Sequence, residues 1–492
     1  MIPYADFTYF GLLLYAVIPT LILGLFGKAG WRWATLVTAA ILLVQYHDLL
    51  NIRPQFPVRQ IWIVIGFAVW QWATVYVFTR SGAQAGWPFY FAVAVSLLPL
   101  ATSKFFPVIS PKSEFGFLGI SYVTFRALDV VFCLRDKVIA LPRTLDFLMF
   151  LFFFPTISAG PIDRFQRFAA EWRKTRTRNE FLVDLDGAVH RIFRGFFYKF
   201  ILAALIKQYW LERAASSGSF AALVSYMYAY SFYLFFDFAG YSAFAIALSY
   251  LFGVHTPENF DRPFLARNIR DFWNRWHITL SFWFRDHVYM RFLYAAMRGK
   301  WFAHKEVAPI AGYFLAFGLM GLWHGPELHY IAYGFYQAML LSGFHIFSRW
   351  SKAHRYWRDG LASRIAAIFI TFQCVCFGLL IFSGRIGAAP LPHFVSKIDH
   401  ADCASISGWI LDKNDLNAEV HIELWDGDRY IMVFPANRFR EDLLEAGYGN
   451  GRHAFEVPTP PQLRDQRPHV IHLRVAGKKQ ELTNSPKVIH CQ

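Results

Sequence analysis

Histidines with polar neighbours occur twice in this chain inside stretches that are otherwise apolar and aromatic. The first stretch is "RNIRDFWNRWHITLSFWFRDHVYMRF", residues 267–292. Read as one helix, it places Arg270, Asn274, His277 and Ser281 at spacings of four, three and four, on a single face. Trp273, Trp276, Phe282, Trp283 and Phe284 cover the flanks. A polar stripe walled by large aromatics suits a tunnel through the protein better than a lipid-facing helix. The second stretch is "FGLMGLWHGPELHY", residues 317–330, where His324 follows Trp323 and precedes Gly325-Pro326. Glycine and proline let a helix break there, so an imidazole can face a cavity. Its ordinary pKa of ~6.5 lets it take and return a proton near neutral pH.

Each feature also has a plainer reading. A lone histidine in a soluble core is usually structural, whereas an ionisable group within a membrane is costly and functional by default. His324 and His277 are therefore the candidate catalytic residues. His47, His190, His287 and His329 read as interfacial or structural. The Trp and Phe stripes are first of all packing, and the Arg clusters are first of all topology signals. In "FFFPTISAGPIDRFQRF", residues 152–168, Pro155, Gly160 and Pro161 break an apolar run. That segment reads either as a loop at a membrane boundary or as a re-entrant loop shaping a cavity.

The elements that position these residues follow from composition. Of 492 residues 55% are hydrophobic and only 17% charged, which argues against an ordinary soluble enzyme and for a polytopic membrane protein. Residues 7–26, 33–50, 61–78 and 87–106 each approach the ~20 residues that a membrane-crossing helix needs. The first of them lacks a basic leader and an A-x-A site, so no cleaved signal peptide is expected. Further apolar runs at 115–133, 145–157, 189–209, 220–252, 307–323, 330–347 and 365–382 bring the expectation to ten to twelve segments. The net charge of +15 divides unevenly. Residues 395–492 hold 12 basic and 14 acidic residues, a balance of −2, which leaves +17 for the apolar part. In a membrane protein that surplus marks cytoplasmic loops, here residues 164–178 and 349–364, and not nucleic acid.

The last hundred residues form a different object. "SISGWILD", "EVHIELWDGDRYIMVF" and "PHVIHLRVAG" alternate apolar and polar residues, as half-buried strands do. The expectation is a membrane domain over residues 1–390 followed by a small β-sandwich over 395–492. "ANRFREDLLEAG" reads as a short helix or loop between strands. Cys403 and Cys491 bracket this region and can pair if it is extracytoplasmic. No cysteine or histidine spacing calls for a metal.

Beyond these readings, "GISYVTFRALDVV", "FFPTISAGPIDRFQRF", "YLFFDFAGYSAFAIALSYLFGVHTPENFDRPF", "RNIRDFWNRWHITLSFWFRDHVYMRF" and "MGLWHG" resemble the membrane-bound O-acyltransferase (MBOAT) family. Within it they are most similar to the DltB-like branch that transfers D-alanine in teichoic-acid modification. The resemblance covers roughly residues 1–385. It implies about eleven spans in a ring around a tunnel, with His324 at the catalytic histidine and His277, beside Asn274, at the second polar position. It implies no bound cofactor. The donor is D-alanine, carried as a thioester on the phosphopantetheine arm of a small carrier protein. An esterase-like membrane partner or a short membrane peptide, and a glycan acceptor outside the bacterial cytoplasmic membrane, are the further partners. Arg270, Ser281, Trp273 and Trp323 would line or support the tunnel, and Asn274 or His277 would steady the oxyanion.

The tail departs from that branch. "SGWILD", "DLLEAGYGNGRHAFEVPTP" and "NSPKVI" resemble a β-domain appended to bacterial polysaccharide enzymes. A docking surface is also expected. Tyr289, Met290, Leu293, Tyr294 and Met297 form an apolar stripe bordered by Arg285, Arg291, Arg298 and Lys300, which suits an acidic carrier. A helix lying on the bilayer has the same composition. Two rival functions stand beside D-alanyl transfer: O-acetylation of an exopolysaccharide, and transport of glycan precursors, against which no inverted repeat is visible.

Overall fold

A computed structural model of the chain describes residues 3–5, 7–28, 30–47, 60–82, 86–109, 116–354, 360–387, 394–413, 415–478 and 480–491, with backbone alone at 47 and 107–109. It divides into two compact units, residues 1–207 with 227–387, and residues 208–226 with 388–492.

The helices of the chain are α1 (Phe7–Leu25), α2 (Trp31–His47), α3 (Gln60–Arg80), α4 (Trp87–Ile109), α5 (Ile120–Arg135), α6 (Thr144–Phe152), α7 (Phe165–Trp172) and α8 (Arg178–Phe196). Wide π-helical turns then alternate with α9 (Ala204–Ile206) and α10 (Glu212–Ala215). There follow α11 (Phe220–Leu251), α12 (Ile269–Trp273), α13 (Ile278–Phe284), α14 (Met290–Arg298), α15 (Val307–His324), α16 (Leu328–His354), α17 (Leu361–Phe382) and, in the tail, α18 (Glu441–Glu445).

Among the described residues six helices are long and apolar enough to cross a membrane: α1, α3, α4, α11, α15 and α17. Exposed Tyr15, Trp62, Val69, Val77 and Phe369 line their outer faces, as lipid contact requires. The run at 115–133 is instead a 16-residue helix, α5, carrying buried Arg126 and Asp129. The run at 145–157 shortens to α6 and one 3-10 turn. The run at 189–209 continues α8, whose start is fixed by a capping box between Thr177 and Glu180.

The first unit has two distinguishable ends. At one, Arg291 pairs with Asp136 just past the end of α5. Glu306 at the start of α15 there meets His345 at 2.9 Å and Arg349 near the end of α16. At the other end the start of α5, the end of α15 and the end of α17 converge. Tyr122 lies 6.3 Å from Trp323 and Phe382 lies 4.8 Å from His324, by ring centroids. Basic residues collect at the first end and the candidate histidine stands at the second. The ~1.5 Å rise per residue makes α15, with 18 residues, about 27 Å long.

The tail is a sandwich of two antiparallel four-stranded sheets. Its strands are β1 (Phe394–Ala401), β2 (Ser405–Asp412), β3 (Val420–Asp426), β4 (Arg429–Ala436), β5 (Arg438–Phe439), β6 (Arg452–Pro458), β7 (Pro468–Val475) and β8 (Lys487–His490). The sheet orders are β1-β2-β6-β5 and β4-β3-β7-β8. Alternate side chains Ile406, Ile410, Ile422, Leu424, Ile471 and Leu473 fill the space between the sheets. Cys403 and Cys491 form a disulfide.

Candidate active site

His324 is the last residue of α15, because Pro326 cannot continue the helix. Its ring stands 4.5 Å from that of Trp323, 4.8 Å from Phe382 and 5.8 Å from Tyr330. The backbone beneath it is tightly held. A Cβ at Gly334 of α16 would meet the Phe317 carbonyl of α15 at 2.3 Å, so only glycine permits this approach. From α4, Lys104 Nζ donates to the His324 carbonyl at 3.0 Å and lies 5.9 Å from the Trp323 ring centroid.

His277 corrects the single-helix reading of residues 267–292. Helix α12 stops at Trp273, and His277 itself is left-handed, with φ 43° and ψ 52°. The turn between is fastened to the preceding segment, with the Ile278 amide donating to the Asn259 carbonyl at 3.0 Å and the Asp261 amide to the Arg275 carbonyl at 2.9 Å. A regular i, i+3, i+4 spacing gives no sign of one left-handed residue, and that residue sends the stripe in two directions. Arg270, Trp273, Asn274, Ser281 and Arg285 line a cavity of about 150 Å³, together with Tyr289 and Met320. His277 turns away from it and is buried against Asn259, Tyr122 and Phe238. Ser281 donates to the Trp276 carbonyl at 3.0 Å, and the Trp273 indole donates to Gln337 at 3.2 Å.

The two histidines are neighbours nonetheless. His277 Nε2 is 3.5 Å from the Tyr122 hydroxyl, the Tyr122 ring lies 6.3 Å from Trp323, and the Trp323 ring lies 4.5 Å from His324. The 150 Å³ cavity reaches α15 at Met320, one helical turn before His324. The arrangement thus combines an imidazole at a helix end, a second imidazole linked to it through aromatic rings, and an adjacent cavity lined by an amide and aromatics. That set can desolvate a small acyl group and move one proton beside it.

Residues 152–165 are mostly buried, which places this loop inside the protein. Arg126, 1% exposed, holds it by donating to the carbonyls of Phe150, Leu151 and Thr156 at 3.2, 3.1 and 2.6 Å and to Thr156 Oγ1. Gly119, at φ 94°, lets the same loop approach, since a Cβ there would meet the Ile157 carbonyl at 2.5 Å. Past the loop, Arg164 bridges Asp129 at 2.8 Å and Asp286 at 2.9 Å, and His287 contacts Asp129 at 2.9 Å. His287 thus serves the structure. His190 is exposed and contacts the Asp186 carbonyl at 2.9 Å, while His329 packs on Tyr330 at 4.1 Å. The side chain of His47 lies outside the described residues.

Arg167, Arg173 and Arg176 are also paired, with Asp163, Asp146 and Asp184, so much of this cluster is internal wiring. On α14, Tyr294 and Met297 are 66% and 63% exposed. Met290 and Leu293 are half-buried beside them. Tyr289 leaves the expected stripe to stack on Tyr313 at 4.9 Å. Arg291 is engaged by Asp136, and Arg285 lies over Phe282 at 4.1 Å and pairs with Asp286.

Sequence reasoning missed Tyr122, Asn259 and Lys104. The first two lie in motifs quoted for their resemblance, "GISYVTF" and "TPENFDRPF", but nothing in their spacing announces proximity to His277, some 155 and 18 residues away. Lys104 ends an apolar run and shows no local sign of its distant partner.

An apolar bundle with buried His277 and half-buried His324 near one end is the frame of a membrane enzyme. The chain matches the model of the MBOAT, membrane-bound O-acyltransferase family, over residues 32–383. It belongs to that family and is a multi-pass membrane O-acyltransferase. More particularly, it is 42% identical over 398 residues to the teichoic acid D-alanyltransferase of Bacillus subtilis (strain 168), covering 78% of this chain and 98% of that protein. It is 38% identical over 404 residues to the teichoic acid D-alanyltransferase of Streptococcus thermophilus, covering 78% and 95%. A probable alginate O-acetylase of Pseudomonas syringae is 34% identical over 232 residues, 46% of this chain and 42% of that protein.

Proposed function

We propose that this enzyme transfers D-alanine from a carrier-protein thioester to a hydroxyl of an envelope glycan or lipid-linked polymer, in a bacterial cytoplasmic membrane. The observation that carries the proposal is His324 at the end of α15, one turn beyond a cavity that opens among the residues leading to α14. Nearly complete coverage of the D-alanyltransferase relatives supports the acyl group named, whereas the alginate O-acetylase match spans under half of either chain.

The chemistry requires alignment, dryness and a base. The acceptor oxygen attacks the thioester carbonyl carbon and His324 takes its proton. The carbon–sulfur bond breaks, and the leaving thiolate receives that proton from His324. The products are the ester and the free thiol of the phosphopantetheine arm. Asn274, whose side chain lines the cavity, supplies the donor toward the developing oxyanion. The carrier docks on the exposed Tyr294–Met297 face of α14, with Met290 and Leu293 beneath it and Arg285 and Arg298 at its rim.

The positive-inside tendency makes the basic end of the first unit cytoplasmic. An oxidising compartment outside that membrane is also where the acceptor lies and where the tail belongs. The Cys403–Cys491 disulfide supports that side, because such bonds persist in oxidising compartments. The test is mass spectrometry of envelope glycans from cells with and without the gene. A lost D-alanyl mass supports the reading, a lost acetyl mass favours polysaccharide acetylation, and an unchanged spectrum refutes both.

A further inference from the structure

His277 is the second imidazole of the site, and its surroundings define which nitrogen carries the proton. Asn259 is fully buried and presents Oδ1 to three groups. The Thr279 amide reaches it at 3.4 Å, Thr279 Oγ1 at 2.9 Å and His277 Nδ1 at 3.1 Å. A backbone amide only donates, so the atom facing Thr279 is the carbonyl oxygen and the Asn259 amide is not reversed. Its Nδ2 donates to Ser242 Oγ at 3.3 Å, which agrees. Thr279 Oγ1 in turn accepts from the Ile162 amide at 3.0 Å and has its hydrogen left for Asn259. A carbonyl oxygen cannot donate, so His277 Nδ1 carries a hydrogen.

We infer that Asn259 is a positioning residue that fixes His277 with its proton on Nδ1 and its lone pair on Nε2. It is in turn set by Thr279 and, through Ile162, by the buried loop of residues 152–165. Neutral His277 then enters the reaction as an acceptor at Nε2, facing the Tyr122 hydroxyl at 3.5 Å and the side of His324. It is not a donor to the oxyanion, a role the sequence left open between His277 and Asn274. This inference rests on the acyltransferase reading. The "PTISAGPI" segment thereby gains a role in the site, since its backbone amide begins the relay that orients the histidine.

The measurement is the steady-state rate of acyl transfer by full-length enzyme in detergent or nanodiscs, with D-alanyl carrier as donor. Asn259→Leu removes the acceptor, and we expect kcat to fall about 10- to 100-fold at unchanged KM for the carrier. Asn259→Asp keeps an acceptor at the same place and should recover most of that loss. Thr279→Val, nearly isosteric, should fall between wild type and Asn259→Leu. In a His277→Gln background, Asn259→Leu should add less than about 3-fold, because the residue it serves is gone. A full additional loss in that background, or equal rates for Asn259→Leu and wild type, overturns the inference. Failure of the acyltransferase reading shows separately, as wild-type enzyme that transfers no D-alanine from the carrier.

Discussion

The ammonium of Lys104 donates to the backbone carbonyl of His324 at 3.0 Å, so the end of α4 caps the end of α15 at the residue proposed to act as base. The last carbonyls of a helix carry its negative pole, and a cation there satisfies an otherwise unpaired acceptor. Lys104→Met keeps the apolar stem and removes the donor. It should cost about 1 kcal/mol of stability, and transfer should fall several-fold because His324 is less firmly placed. Thermal unfolding in detergent and a transfer assay on the same sample check this. Unchanged values for both would mean that the contact contributes nothing.

Arg126 is the anchor of the buried loop. Arg126→Met would leave the carbonyls of Phe150, Leu151 and Thr156 without their donor. The expected loss is about 3 kcal/mol or more. Arg126→Lys should be nearly as damaging, since one ammonium cannot span the fork that the guanidinium fills. The yield of folded protein from membranes, followed by its unfolding temperature, measures this. A lysine variant as stable as wild type would show that charge alone suffices there.

How much of this was legible beforehand depended on the kind of signal. The alternation in "SISGWILD" and "PHVIHLRVAG" coincides with β2 and β7, because a two-residue period with one buried face leaves little choice of register. Helix α15 and its break were visible as an apolar run ending in His324-Gly325-Pro326. The break at His277 was not. Its left-handed backbone belongs to a residue that occupies that region only under tertiary constraint, here the clasp of Asn259 and Asp261. Likewise α5 reads as a possible span, yet Arg126 and Asp129 are buried in it because their partners come from 24 to 158 residues away. Long-range pairing leaves no periodic mark.

The docking face offers a direct test. Tyr294→Asp combined with Met297→Asp puts two carboxylates on the exposed face of α14, and both side chains are far enough into solvent to spare the fold. The KM for the acyl carrier should rise about tenfold or more with kcat nearly unchanged, and the effect should lessen in high salt. An unaltered KM would remove α14 from the docking surface.

The tail carries its own pH dependence. Hydrogen bonds to Asp465 and Asp426, both at 2.7 Å, raise the pKa of His469 above its ordinary value of ~6.5. The folded tail therefore binds this proton more tightly than the unfolded one. The stabilisation is complete below the ordinary value and fades as pH rises through the raised one. Hydrogen exchange of residues 465–475 in the full chain, corrected for intrinsic rates, should show protection declining as pH rises above the ordinary histidine value of ~6.5. His469→Gln should flatten that decline. An identical slope in both proteins would contradict the assignment.

Every step of the proposed transfer passes through His324. The decisive measurement is transfer of D-alanine from its carrier thioester by purified wild type and His324→Ala, compared at equal amounts of folded protein. Loss of a general base should lower the rate about 10²- to 10⁴-fold while carrier binding persists. A His324→Ala enzyme that transfers at the wild-type rate would contradict the account.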